Sequence, residues 1–127
     1  MINTAKTKEK RNVIQEKSFD FALKAIEAYK FLTEKKKEFV LSKQLLRSAT
    51  SIGANVEEAI GGQSRKDFIF KLQIAYKETR ETIYWLKLLK KSGYLEGELS
   101  EELLTSCQEI WKILSSIINT TKTSIKN

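Results

Sequence analysis

The run Gly61-Gly62-Gln63-Ser64-Arg65-Lys66-Asp67 carries the most suggestive chemistry in this chain. Ser64 and Asp67 have the spacing of an acidic capping box, so a helix is expected to begin there, with two cations in its first turn. The positive end of a helix dipole, free amides beside two glycines and adjacent cations together suit a phosphate group. Arg65 and Lys66, joined at the same end of the fold by Lys10, Arg11 and Lys17, are therefore candidates for contacts to a nucleic-acid backbone without base readout. A solvated basic face with ordinary helix capping accounts for the same residues.

Other constellations are weaker. Glu57, Glu58, Glu78 and Glu81 could be imagined as a magnesium site for nucleotide hydrolysis, but Lys77 and Arg80 would neutralise them and no second acidic motif follows. Ser48, Ser51 and Ser64 have no base to activate them, because the chain contains no histidine. That absence also removes histidine-based acid–base relays and His-containing metal sites. Arg47, Asn55, Glu58, Lys77, Arg80 and Glu81 lie beside apolar seams; an inter-helix or inter-subunit ion-pair network that sets register explains them better than a small-molecule or metal pocket. Neither an enzymatic activity nor a cofactor is expected.

These residues need elements to hold them. From Arg65 to Lys91 apolar and small residues recur at alternating steps of four and three, with Phe68, Leu72, Ala75, Thr79, Thr82, Leu86 and Leu89 in one seam and Ile69, Tyr76 and Ile83 in a second. That rhythm predicts a bundle helix, stopped by Gly93 with Tyr94 folded back on Leu89 in a Schellman ending. Helix one is expected from Ile14–Ser18 onward, its stripe being Phe19, Ala22, Ile26 and Tyr29, widened by Ala25, Ala28 and Leu32. Helix two should open with Ser42 as N-cap and end at Gly61-Gly62 through a left-handed cap, with Leu45, Ala49, Ile52, Val56 and Ala59 inside. Its small residues Ser48, Ser51, Gly53 and Ala54 predict close approach of a neighbour. Helix four should open at Ser100 and carry Leu103, Cys107, Ile110, Leu114, Ile117 and Thr121, with Leu104, Trp111 and Ile118 alongside.

The 127 residues, with no proline and only five glycines, suit a single all-α domain. Short loops between four helices predict an antiparallel up-down-up-down bundle over residues 14–127, preceded by a flexible basic arm or frayed helix start over 1–13. No run approaches the ~20 apolar residues of a membrane span and the N-terminus lacks a signal-like apolar core, so a cytoplasmic protein is expected. Cys107 on an apolar face reads as a buried, inert thiol. The net charge of +7 favours an anionic partner, RNA or DNA, or simply solubility. Up-down topology would gather seven basic against six acidic residues at one end and nine against six at the other, the end of Arg65.

Phe70, Ile74, Tyr84, Trp85 and Leu88 fall outside both seams of helix three. Unless the arm or the Phe39-Val40 loop covers them, they form a patch larger than monomers usually expose and predict association with further copies.

The segments LSKQLLRSATSIGANVEEA, Leu41 to Ala59, and SRKDFIFKLQIAYKETRETIYWLKLL, Ser64 to Leu89, with KSFDFALKAIEAYKFL, Lys17 to Leu32, resemble the bacterial four-helix-bundle family of 23S rRNA intervening-sequence proteins. Phe19, Ala22, Arg47, Ser51, Ile52, Asn55, Glu58, Asp67, Phe68, Ala75, Glu81 and Leu86 carry the match; Glu57 and Ala59 depart from the family's small residue and glycine. The resemblance implies a homopentameric ring and kinship with the accessory variability determinant of diversity-generating retroelements, whose partner is a reverse transcriptase. It implies no settled activity. The expectation is thus a non-enzymatic oligomer that binds nucleic acid weakly as an accessory, the alternatives being a protein-interaction scaffold and, distantly, a metal-dependent nucleotide hydrolase.

Overall fold

A computed structural model describes the backbone of residues 4–126 and the side chains of Glu9 and of residues 11–124. It contains four helices, α1 (Thr4–Glu34), α2 (Leu41–Ile60), α3 (Arg65–Lys91) and α4 (Gly97–Lys126), and no strand among the described residues. Helix α1 packs on α2 and α4, and α3 packs on the same two, while the backbones of the α1–α3 and α2–α4 diagonals do not approach each other closely. The four helices therefore stand at the corners of a square around one core. No helix among the described residues is long and apolar enough to cross a membrane.

Three helices bury the seams that their sequence periodicity predicts. Leu45, Ala49, Ile52, Val56 and Ala59 are buried on α2, and the seven-residue seam from Phe68 to Leu89 is buried on α3. On α4, Leu103, Cys107, Ile110, Leu114, Ile117 and Thr121 are buried together with Leu104 and Ile118, while Trp111 is half-buried and stacks on Tyr76 at 5.6 Å.

Helix α1 is turned away from its expected face. Its buried residues are Ile14, Ser18, Phe21, Ala25, Ala28 and Leu32, whereas Phe19 is 64% exposed and Ile26 is exposed as well. The observed face also runs in steps of four and three, and it encloses three large side chains with small ones between them. Those small residues let α1 approach α2 closely: a Cβ on Gly53 would stand 3.4 Å from the Ser18 carbonyl oxygen. The same rotation lets Lys17 reach Glu109 at 3.0 Å and Lys24 reach Glu102 at 2.5 Å on α4. The helix also begins at Thr4, ahead of the expected start, since no glycine or proline interrupts this segment. Met1–Asn3 of the anticipated arm lie outside the described residues.

Helix ends differ from expectation where a side chain from outside the helix does the capping. Ser42 is fully buried inside α2; the cap is Glu38, whose carboxylate accepts from the N–H groups of Val40, Leu41 and Ser42 at 3.2, 3.1 and 2.7 Å. Gly61 ends α2 with φ of −81°, so no left-handed cap forms there. Ser100 lies within α4, which opens at Gly97 with φ of +78°, a conformation open to glycine. The α3 ends follow the sequence. Ser64 accepts from the Asp67 N–H at 3.1 Å, and Gly93, with φ of +82°, closes a Schellman motif in which Tyr94 N–H bonds to the Leu89 carbonyl at 3.0 Å.

Candidate nucleic-acid interface

The turn between α2 and α3 brings the start of α3 beside the end of α4 and the first turns of α1. The Arg65 guanidinium donates to the Ser124 hydroxyl of α4. The Arg11 guanidinium lies over the Phe68 ring, 4.5 Å from its centroid, a cation–π contact that leaves its charge uncancelled. Lys66 is exposed. Arg11, Arg65 and Lys66 thus share one end of the bundle. Lys17 is drawn off to Glu109 on the side of the molecule, and the Lys10 side chain lies outside the described residues.

The α3 N-terminus is less open than its sequence suggests. Its Asp67 N–H is taken by the Ser64 hydroxyl and its Phe68 N–H by the Ser64 carbonyl at 3.0 Å. Gly61 and Gly62 spend their own N–H groups on the carbonyls of Glu57 and Ala59, both at 3.1 Å. With those four amides taken, side-chain charge carries more of the attraction for an anion. Among the described residues, Arg11, Arg65, Lys66 and Lys122 have no carboxylate partner within salt-bridge range. At the opposite end Lys24 and Lys90 are paired with Glu102 and Glu101, while the exposed Lys35, Lys36, Lys37, Lys43, Lys87 and Lys91 have no ion pair among the described residues.

The polar residues flanking the α2–α3 seam divide into two groups. Arg47 bridges Glu78 at 3.2 Å and Glu81 at 2.6 Å, and Glu81 also accepts from the Trp85 indole N–H at 3.3 Å. The bond from Arg47 holds the Glu81 carboxyl below the usual carboxylate range against partial burial, with the indole adding to it. Glu58 pairs with Lys71 at 3.6 Å. Asn55, however, donates within its own helix to the Ser51 carbonyl at 2.9 Å, and Lys77 and Arg80 point outward with no ion pair among the described residues. Glu78 and Lys71 complete these bridges; their spacing of i−3 from Glu81 and i+4 from Asp67 was visible, but their partners across α2 were not. Among the described residues, no three acidic or thiol side chains converge as metal ligands would. Cys107 is buried against the Thr79 carbonyl, and burial pushes its thiol up to about 12.

The apolar residues left outside the α3 seams lie along one flank. Ile74, Glu78, Glu81, Trp85 and Leu88 follow each other by four, three, four and three, with Phe70 four residues earlier, so they share the side that faces α2. Phe70 is 59% and Tyr84 57% exposed; Leu88 is exposed and Ile74 and Trp85 are half-buried. Phe39 and Val40 are themselves exposed, so their loop leaves this flank open.

Comparison with known proteins places these features in a family. No curated protein matches the chain in sequence. Among solved structures, it is similar to a protein of unknown function from the S23 ribosomal protein family of Bacteroides thetaiotaomicron, with 53% identity over 87% of this chain and 98% of the other, and a TM-score of 0.84. The family model described as 23S rRNA-intervening sequence protein matches residues 10–116. The chain, a four-helix bundle throughout that span, belongs to the 23S rRNA-intervening sequence protein family.

Proposed function

We propose that this chain is a non-enzymatic, cytoplasmic bundle that assembles into a homo-oligomeric ring and binds RNA or DNA through the phosphate backbone as an accessory to another nucleic-acid-processing protein. The observation that carries the reading is the end of the bundle at Arg11, Arg65, Lys66 and Lys122, where exposed cations lack carboxylate partners among the described residues. Repeated around a ring, such a cluster becomes a continuous positive rim whose field attracts a polyanion. An antiparallel up-down-up-down course fits the pairs Lys17–Glu109 and Lys24–Glu102, and Glu58–Lys71 and Arg47–Glu81, in which numbers rise on one helix as they fall on its neighbour. Five subunits and a reverse transcriptase as partner are what kinship with the retroelement accessory protein implies.

The test is equilibrium binding of a short fluorescein-labelled RNA between about 50 and about 200 mM salt. Affinity is expected to fall linearly on logarithmic axes, and Arg65→Glu/Lys66→Glu to bind more weakly with a slope shallower by about 2. Absence of binding at the lowest salt, or binding indifferent to salt, overturns the nucleic-acid role and favours a protein-interaction scaffold.

A further inference from the structure

Two open apolar flanks lie on adjacent sides of the square, one on each side of α2. The first is the α3 flank with Phe70, Tyr84 and Leu88, centred on the outward Lys77. The second is a groove between α1 and α2 of about 170 Å³, walled by Phe19, Ala22, Thr50, Gly53 and Ala54. It is large enough for an aromatic ring, since about 150 Å³ holds a benzene molecule. The groove continues outward over the exposed ring of Phe19, where Glu16, Asp20 and Glu57 form an acidic rim. One flank is therefore aromatic with Lys77 at its centre, its Glu78 and Glu81 being taken by Arg47; the other is a slot with an acidic edge.

Their heights along the bundle agree. Gly53, beside Ser18, lies midway along α2 between Ser48 and Glu58, which meet Thr82 and Lys71 of α3. Ser18 is therefore level with the middle of the stretch from Lys71 to Thr82, and Phe19–Asp20 with Lys77. One heptad earlier Asn12, at the outer end of the groove, is level with Phe70; one heptad later Ile26 is level with Tyr84. A rotation axis parallel to the helices leaves heights unchanged, so a ring can close only through faces that complement each other at equal height. These do: a basic centre meets an acidic rim, and aromatic residues meet the slot and the apolar stripe above it. Faces on adjacent sides of a square, at about a right angle, close a ring of roughly four or five copies, whereas opposite faces would build an open fibre. At mid-height the shared corner of α2 presents the small Thr50, Ser51 and Ala54 around Gly53, with the exposed Arg47 about one turn below and Glu57 and Glu58 about one turn above.

We propose that the ring is held by a heterologous contact in which the Phe70–Lys77–Tyr84 flank of one copy enters the Phe19-lined α1–α2 groove of the next, with α2 innermost. This rests on the oligomeric reading above and specifies its interface.

The test is the mass in solution, by light scattering, of the wild type, of Glu16→Lys/Asp20→Lys, of Lys77→Glu/Arg80→Glu and of the four substitutions combined. All four positions are exposed, so each chain should keep its helicity. Each charge reversal alone is expected to lower the assembly to the 14.6 kDa single chain at micromolar concentration, and the combined chain to recover the ring. A ring unchanged by both reversals, or two reversals that fail without recovery in combination, overturns this interface while leaving oligomerisation standing. A wild-type particle of single-chain mass removes the ring itself.

Discussion

Glu38 does at the start of α2 what a serine was expected to do. Partial burial pushes its carboxyl up, but three backbone N–H donors and the neighbouring Ser42 outweigh that and hold it below its ordinary value of 4.5. A group depressed in the folded state stabilises the fold above its unfolded pKa, and this contribution is lost as pH falls through the lower folded value. Glu38→Gln is therefore expected to cost about 1 kcal/mol, as lost helix caps do, at neutral pH, and progressively less below pH 4.5, read by denaturant unfolding at several pH values. A pH-independent difference would show that shape, not charge, does the capping. Sequence spacing missed this cap because Glu38 precedes the helix and reaches it only through the turn at Lys37, whose φ is +55°.

At the scale of elements, α1 shows where periodicity leaves a choice. Two apolar stripes run along it, and each satisfies helical spacing; they differ in whether Phe19 or Phe21 faces the core. Phe21→Ala is expected to cost about 3–5 kcal/mol through the cavity it leaves, whereas Phe19→Ala should leave the fold's stability within about 0.5 kcal/mol at protein concentrations too low for association. Thermal or urea unfolding of the two variants checks the order. On α2, α3 and α4 the main seam read from the spacing is the one that is buried, so their core positions were legible, even though Phe70, Tyr84 and Leu88 add apolar residues outside it on α3. The second stripe on α1 is surplus to the core for a reason that belongs to the next scale.

For the whole molecule, apolar residues exposed on both sides of α2 and a net charge of +7 act in opposite directions. Burial of the apolar flanks favours association, and like charge opposes it unless acidic and basic surfaces interleave, as the proposed meeting of Lys77 with Glu16 and Asp20 would make them. Association that binds only the folded chain raises its apparent stability with concentration. The midpoint of thermal unfolding is accordingly expected to rise by several degrees between sub-micromolar and hundred-micromolar protein, measured by circular dichroism, and to become independent of concentration in Lys77→Glu/Arg80→Glu. A midpoint constant in the wild type would mean that the flanks stay exposed.

The amino-acid sequence by itself determined the all-helical class, the number of helices, the near-bounds of α2, α3 and α4, three of the four core faces and the Schellman ending at Gly93, because each follows from interactions within a few residues along one chain segment. It also marked Phe70, Tyr84 and Leu88 as left over. Only the tertiary structure decided how α1 is rotated, that Glu38 caps α2, that Lys17 is taken by Glu109 while Arg65 and Lys66 are not, and that Phe19 borders a groove with α2. Those outcomes depend on which helices become neighbours and how closely they approach. Close packing of Ser18 against Gly53 fixes both for α1, and no periodicity within a single helix can state that distance.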